Sequence, residues 1–199
     1  MNDTDIEICY LSASDTLKKY KEKKLSPVEV LSAVIKRIET VNPKINAFNY
    51  LDFEKSLELA KESEKKFSNN NDVLPLEGLP LAIKDEVNIK GQPNRNGCLL
   101  LKNNIAQKTD IDVETIVNSG AILHGRTTNP EFSLTSFCHS KLNGVTRNPW
   151  NLDMTPGGSS GGSAAALASG CAMLTTGSDI GGSICLLYTS PSPRDGRIS

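Results

Sequence analysis

Residues 78–85 read GLPLAIKD, a short apolar run typical of a buried strand that ends at two charged side chains. Further along, the sequence predicts a helix from about residue 110 to 119, with Gly120 as its C-terminal stop. A second short strand is predicted at 121–124, directly after that glycine. Strand, helix and strand in this order favour an α/β fold over an all-α or all-β fold.

The preceding part of the chain is helical in pattern. Residues 26–29, SPVE, are a helix start signal: a serine N-cap, a proline at the first helical position and a glutamate three residues after the cap. The apolar residues that follow recur at spacings of three and four, and this helix is predicted to stop before Pro43. A short strand at 46–51 and an amphipathic helix at 53–67 complete this scaffold.

The composition excludes several classes of protein. The 199 residues carry 22 Lys and Arg against 23 Asp and Glu, a formal charge of −1, so nucleic acid is disfavoured as a main ligand. A hydrophobic share of 38% allows a packed core and argues against disorder over the whole chain.

The ends of the chain and its cysteines bear on location. The first seven residues are acidic with no apolar run behind them, which is the wrong chemistry for a signal peptide, and no stretch is apolar enough to span a bilayer. Five scattered cysteines, none in a Cys-x-x-Cys pair, support neither a disulfide framework nor a zinc site. We therefore expect free thiols, a cytoplasmic location and no membrane contact.

The densest glycine and serine segment is 155–170, TPGGSSGGSAAALASG. A flexible linker is a weak interpretation, because the segment opens directly into an alanine-rich helix. A phosphate-binding P-loop is a second one, but it needs a lysine where Ser163 follows Gly162. What remains is a tight backbone at a helix N-terminus, which suits anion or oxyanion stabilisation.

A second glycine turn, 177–184, reads GSDIGGSI. Its two adjacent glycines let a substrate approach the backbone closely, so Ser183 is a candidate nucleophile. A serine nucleophile needs a base, and His124 and His139 are the two histidines that could complete a Ser-His-Asp arrangement. We rank the Ser-His-Asp arrangement low, because a structural histidine is commoner than a catalytic one at such positions.

Lys84 is the other candidate base. It closes the apolar run, and burial there would lower its pKa toward a neutral amine able to accept a proton. Taken alone, Lys84 is more often a surface lysine paired with Asp85 or Glu86. Its combination with the two serine motifs reverses that preference.

Together, these motifs resemble the amidase signature family in their order and spacing. The matching segments are 78–85 (GLPLAIKD), 125–132 (GRTTNPEF), 144–151 (GVTRNPWN), the long segment from Thr155 and 178–184 (SDIGGSI). The resemblance covers the chain as far as Ile184. It implies an α/β amidase-signature fold, a mixed central β-sheet flanked by helices, truncated here, with 1–184 as the N-terminal portion of a single amidase domain.

The resemblance also implies a Ser-Ser-Lys triad. Ser183 would attack the amide carbonyl, Ser159 would bridge it to the lysine through a cis peptide after Gly158, and neutral Lys84 would be the general base. Backbone amides would form the oxyanion hole, namely those of Ile180, Gly181, Gly182 and Ser183. Supporting roles would fall to Ser160 and Asp179. No metal and no organic cofactor is required.

The sequence departs from the family after Ile184. Residues 185–195, CLLYTSPSPRD, also resemble an in-frame translation of a transposase-type sequencing adapter. We interpret 185–199 as a non-native tail arising from that artefact, against the alternative of a divergent native loop. The later strands of the family would then be missing, so the chain as written is expected to be inactive and prone to aggregation.

Three functions remain open for the full-length parent. The leading one is an amidase that hydrolyses a small-molecule carboxylic amide to carboxylate and ammonia or an amine through a serine acyl-enzyme, with a homodimer as the assembly to consider. The second is the A subunit of a glutamyl/aspartyl-tRNA amidotransferase, a glutaminase that works with partner subunits. The third, from another class, is a non-catalytic anion-binding fragment; the intact triad positions argue against it.

Overall fold

The computed structural model describes residues 1–69 and 72–187, so the predicted tail lies outside the described residues apart from 185–187. The helices are α1 (Asp3–Cys9), α2 (Ala13–Lys21), α3 (Pro27–Ile45), α4 (Phe53–Asn69), α5 (Ile111–Asn118) and α6 (Gly161–Ala168). The strands are β1 (Phe48–Leu51), β2 (Pro80–Lys84), β3 (Ile122–Thr127), β4 (His139–Ser140), β5 (Gly144–Val145) and β6 (Leu174–Thr175). Short 3₁₀ turns span Leu99–Leu101 and Glu131–Ser133.

A mixed sheet lies at the centre of the fold, in the strand order β1-β3-β2-β6. Strand β2 runs parallel to β3 and β6, whereas β1 pairs with β3 in antiparallel fashion. The helix that connects β2 to β3 is α5, so the predicted strand, helix and strand form one unit of this sheet. The α/β class with a mixed, helix-flanked sheet is confirmed. A separate small hairpin pairs β4 with β5.

Helix α3 begins as the sequence predicts but ends later. The side chain of Ser26 accepts the amide of Glu29, and the Glu29 side chain accepts the amide of Ser26, a complete capping box. The predicted stop before Pro43 is wrong, because the helix continues to Ile45 with this proline in its last turn. A proline there removes only one amide near the helix end, and the left-handed Asn46 closes the helix instead.

The two faces of β2 pack against different layers. Leu81 and Ile83 join a cluster with Val113 of α5. Ala82 points to the opposite face, where it packs with α3 and with Ala165 of α6. Because side chains alternate along a strand, Lys84 lies on the same face as Ala82, toward α6.

A bulge interrupts β3 at His124. Leu123 pairs with Leu81 and Gly125 with Ala82, which leaves His124 without a partner in β2. Its carbonyl accepts the amide of Asp52, at the start of α4. Across the two described stretches of chain, no helix combines the length and apolar character that crossing a membrane requires.

Candidate active site

Lys84 is the centre of a buried polar cluster at the C-terminal end of β2. Its side chain is 0% exposed, and its Nζ donates to Ser159 Oγ at 2.8 Å and to Ser178 Oγ at 2.8 Å. A third partner is the Glu86 carboxylate, 3.1 Å away. Burial lowers the pKa of Lys84, while Glu86 acts in the opposite direction. The lysine therefore has the environment that a proton acceptor needs.

Ser159 approaches Lys84 from the loop that enters α6. The bond between Gly158 and Ser159 is a cis peptide, as the family resemblance predicts. Ser159 itself is fully buried. The sequence prediction thus placed Lys84 and Ser159 in one site, although 75 residues separate them in the chain.

Other hydroxyls tie the start of α6 to the segment after β6. Ser160 Oγ donates to the carbonyl of Ser178 and accepts its amide, both at 3.2 Å. Ser163 Oγ donates to the Thr176 carbonyl at 2.7 Å and contacts Thr127 Oγ1. The hydroxyls of this segment therefore join α6 to the loop that carries the proposed nucleophile.

The start of α6 also lies very close to the end of β3. A Cβ added to Gly162 would come within 2.4 Å of the Thr128 carbonyl oxygen and 2.5 Å of its amide nitrogen. Only glycine fits there without a shift of the backbone. The small residues of 155–170 thus allow the close approach of helix and strand that carries Ser159 to Lys84.

Asp179 organises the second glycine turn. Its carboxylate accepts the amides of Gly182, Ile184 and Cys185 at 2.5, 2.9 and 3.0 Å. These amides hold the pKa of Asp179 well below its usual range. In this structure the Gly182 amide is therefore occupied, although the family resemblance assigns it to the oxyanion hole.

The remaining amides of that set have no such partner. Those of Ile180, Gly181 and Ser183 meet no hydrogen-bond acceptor within residues 1–69 and 72–187. Ile180 is fully exposed. As far as the described residues go, these three amides are open to donate to a bound group, which is what the predicted oxyanion hole needs.

Ser183 lines a cavity of about 520 Å³ together with Ser159, Ser178 and Glu86. Its carbonyl accepts the amide of Ser160 at 3.3 Å. Considering the described residues alone, Ser183 Oγ has no hydrogen bond to Ser159 Oγ, so the predicted nucleophile lines the cavity but does not contact the Lys84–Ser159 pair through its hydroxyl. The other lining residues are Phe132, Ser133, Leu134, Thr135, Ser136, Gly158, Ile180, Gly181 and Leu186.

Neither histidine takes part in this site. His124 is fully buried and packs against Phe48 with ring centroids 5.8 Å apart, and burial lowers its pKa to about 4. His139 stacks on Phe137 at 4.9 Å. Over the described ranges, neither ring hydrogen-bonds to Ser159 or Ser183. The structure therefore favours Lys84 over a histidine as the base.

A buried arginine supports the loop after Lys84. Arg126 is 0% exposed, and its guanidinium donates to the carbonyls of Lys84 and Pro93 at 3.2 Å and to that of Val87. It also lies 3.8 Å from Asp85, so Asp85 pairs with Arg126 rather than with Lys84. This network holds in place the turn that carries Glu86.

The sequence did not predict that three polar residues, Ser178, Arg126 and Glu86, belong to the site. Glu86 was considered only as a surface partner of Lys84. Strand alternation does not signal this role, because β2 ends at Lys84 and Glu86 lies in the turn that follows. Arg126 and Ser178 lie within the family motifs 125–132 and 178–184, but nothing in those motifs reveals their contacts. No group of three His, Cys, Asp or Glu side chains suited to a metal ion occurs in the part of the chain that the structure describes.

Known proteins match most of this chain. It fits the Amidase family profile over residues 29–186. It is 41% identical over 179 residues to the A subunit of glutamyl-tRNA(Gln) amidotransferase from Carboxydothermus hydrogenoformans, covering 90% of this chain and 37% of that protein. It is 36% identical over 192 residues to "Indoleacetamide hydrolase" of Bradyrhizobium diazoefficiens, covering 94% of this chain and 37% of the relative.

Solved structures agree. A "Fatty acid amide hydrolase" aligns with a TM-score of 0.88 at 30% identity, over 94% of this chain and 33% of that one. A "peptide amidase from Stenotrophomonas maltophilia" aligns with a TM-score of 0.81 at 26% identity, over 88% and 37%. The chain thus spans about a third of the length of the proteins it matches. Because the family profile covers most of its residues, including the buried lysine and both glycine turns, the chain belongs to the amidase family.

Proposed function

We propose that the full-length parent is an amidase that hydrolyses a carboxylic amide to a carboxylate and ammonia or an amine. The observation that carries this proposal is the 2.8 Å contact between the buried Lys84 Nζ and Ser159 Oγ, at the wall of a cavity that Ser183 also lines. The names of relatives such as the indoleacetamide hydrolase support the same reaction class.

The proposed mechanism uses the three residues in order. Ser183 attacks the carbonyl carbon while its proton passes to Ser159 Oγ, and the proton of Ser159 passes to the neutral Lys84 amine. The free amides of the second glycine turn stabilise the oxyanion. Collapse of the tetrahedral intermediate returns the proton through Ser159 to the leaving nitrogen. Water then cleaves the acyl-enzyme by the same route, and the chemistry consumes no cofactor.

The decisive experiment uses the parent protein, encoded by the complete open reading frame. We expect Ser183→Ala to abolish amide hydrolysis and labelling by a fluorophosphonate, since the acyl-enzyme cannot form. Ser14→Ala, at an exposed serine of α2, is the control and should retain both. Unchanged hydrolysis in Ser183→Ala would contradict the proposal. A folded parent that neither turns over amides nor reacts with the probe would favour the non-catalytic anion-binding alternative.

A second candidate is the A subunit of a tRNA-dependent amidotransferase. It is favoured by the 41% identity to a protein of that name, with 42% to another from Methylacidiphilum infernorum. The purified parent alone, assayed with glutamine and with simple amides, separates the two functions. Turnover of simple amides without partner subunits supports the amidase, whereas glutamine hydrolysis that appears only with partner subunits supports the amidotransferase.

We also propose that residues 1–184 are the N-terminal portion of one amidase domain, that 185–199 are foreign, and that the parent works in the cytoplasm. The free cysteines fit a reducing compartment. Because Leu186 lines the cavity, part of the wall described here would differ in the parent. Sequencing the source locus tests the tail: normal coding sequence on both sides of the 185–195 codons would contradict it.

A further inference from the structure

Glu86 is the charged residue among those that line the cavity, and it touches the base directly. Its side chain is 19% exposed, and its Oε2 lies 3.1 Å from Lys84 Nζ. A carboxylate at this distance opposes the deprotonation of a lysine, so its presence beside a base that must be neutral needs an explanation.

The carboxylate is held by a strained turn. Ser133 Oγ donates to Glu86 Oε2 at 2.5 Å, and Ser133 has a φ of +57°, next to Phe132 with a φ of +50°. Asn129 fixes this turn by donating its amide to Ser133 Oγ and to the Pro130 carbonyl. Left-handed backbone at two consecutive non-glycine residues costs free energy and persists where the surroundings over-determine it. The turn thus aims a donor at Glu86.

Ser178 contacts Lys84 Nζ as well, and it lines the same cavity as Glu86. Burial opposes the ionisation of Glu86, but the hydrogen bond from Ser133 and the nearby Lys84 charge outweigh it and lower the pKa of Glu86. The Ser178 hydroxyl oxygen has lone pairs that accept a hydrogen bond from Lys84 Nζ, 2.8 Å away.

The two N–H bonds and one lone pair of a neutral Lys84 Nζ determine how it can contact its neighbours. A neutral amine has two N–H bonds and one lone pair, and Lys84 Nζ has three partners: Glu86, Ser178 and Ser159. We propose that Glu86 is a positioning residue for Lys84. Glu86 and Ser178 accept hydrogen bonds from the two N–H groups of the neutral Lys84 amine, and the lone pair of the amine then faces the Ser159 hydroxyl. This inference rests on the proposed function and adds a residue to it.

Other titratable groups near Lys84 also affect its pKa. Glu86 lies 3.1 Å from Lys84 Nζ, and among the groups that raise the pKa of Lys84 it precedes Cys138 and Asp179. Removing the Glu86 charge therefore removes the main group that favours protonated Lys84. The pKa of the base falls, and the acid limb of kcat/KM moves to lower pH.

The test measures kcat and KM against pH in the parent enzyme and its Glu86→Gln, Glu86→Ala and Glu131→Gln variants. Glutamine keeps an acceptor oxygen without the charge, so the acid limb should move down by about one pH unit. Alanine loses the acceptor as well, so kcat at the pH optimum should fall about tenfold or more while KM changes little. Glu131→Gln removes an exposed carboxylate from the turn that carries Ser133 and should match the parent.

The outcomes separate the inference from the function beneath it. A parent without amide turnover would overturn both. If the parent is active but its Glu86→Gln variant keeps the original acid limb, the positioning role alone is overturned. An effect of the Glu86 variants on KM alone would also overturn it, because Glu86 would then be a substrate-binding group. Should Glu86→Gln not fold, Glu86→Asp decides: a lower kcat with the original acid limb supports the role, and an unchanged kcat contradicts it.

Discussion

Lys84 Nζ and Ser159 Oγ lie 2.8 Å apart, and both side chains are fully buried. The lysine comes from the end of the central strand β2 and the serine from the loop into α6. Their contact depends on the packing of α6 against the sheet, where alanines of the helix meet Ala82. The proposed proton relay would therefore rest directly on the hydrophobic core.

Replacing Lys84 tests the base directly. In the parent enzyme, Lys84→Ala should lower kcat about 10²- to 10⁴-fold, the usual contribution of a general base. Lys90→Ala is the matched control, because Lys90 is an exposed lysine on the loop that follows β2 and should retain parental kcat. Steady-state amide hydrolysis measures both. A Lys84→Ala variant with parental kcat would show that Lys84 is not the general base.

The sequence predicted much of this arrangement because its signals are local. The apolar run of β2, the cap of α3 and the glycine that ends α5 each depend on neighbouring residues, and all three were located. Pro43 was misjudged because a proline in the last turn costs one hydrogen bond and tertiary packing outweighs it.

Prediction of the site was limited in the same way, because tertiary contacts are not encoded in local sequence signals. The end of the apolar run indicated Lys84 as a candidate base, whereas the role of Ser159 and the cis peptide came from the family resemblance. Glu86 and Ser178 escaped because their importance depends on where a distant turn directs Ser133 and how the loop after β6 returns to β2. Such contacts join residues far apart in the chain, and no periodicity or spacing encodes them.

The close approach of α6 to β3 predicts a stability effect at Gly162. A methyl group there would meet the Thr128 backbone at 2.4 Å, so Gly162→Ala should destabilise the parent by about 1–3 kcal/mol, the usual range for overpacking. Gly181→Ala is the control for stability alone, because nothing lies within 4 Å of its added Cβ. Urea unfolding compares them. Equal stability of the Gly162→Ala variant and the parent would mean that α6 shifts without cost.

Expressed as residues 1–199, the protein should self-associate and show no amide turnover. Large apolar side chains are exposed at its surface, with Leu134 at 80%, Trp150 at 74% and Ile180 fully exposed. Within the described residues, β6 pairs with β2 on one side and has no strand on the other. Open edges and apolar patches of this kind promote association. Size-exclusion chromatography with light scattering measures it, and a soluble monomer with cooperative unfolding and turnover would contradict this prediction.

The buried His124 predicts how stability depends on pH. Burial lowers its pKa from 6.5 to about 4 in the folded state, and both ring nitrogens lack hydrogen-bond partners among the described residues. The unfolded chain therefore binds a proton between pH 6.5 and pH 4 that the folded protein excludes, so stability is complete above pH 6.5 and falls as the pH drops toward 4. The loss is about 3 kcal/mol from this group. In the parent, His124→Leu should remove that part of the pH dependence of the free energy of unfolding, whereas His139→Leu, at an exposed histidine, should preserve it. Parallel curves for the parent and His124→Leu between pH 7 and pH 4 would show that the ring gains a proton in the folded state.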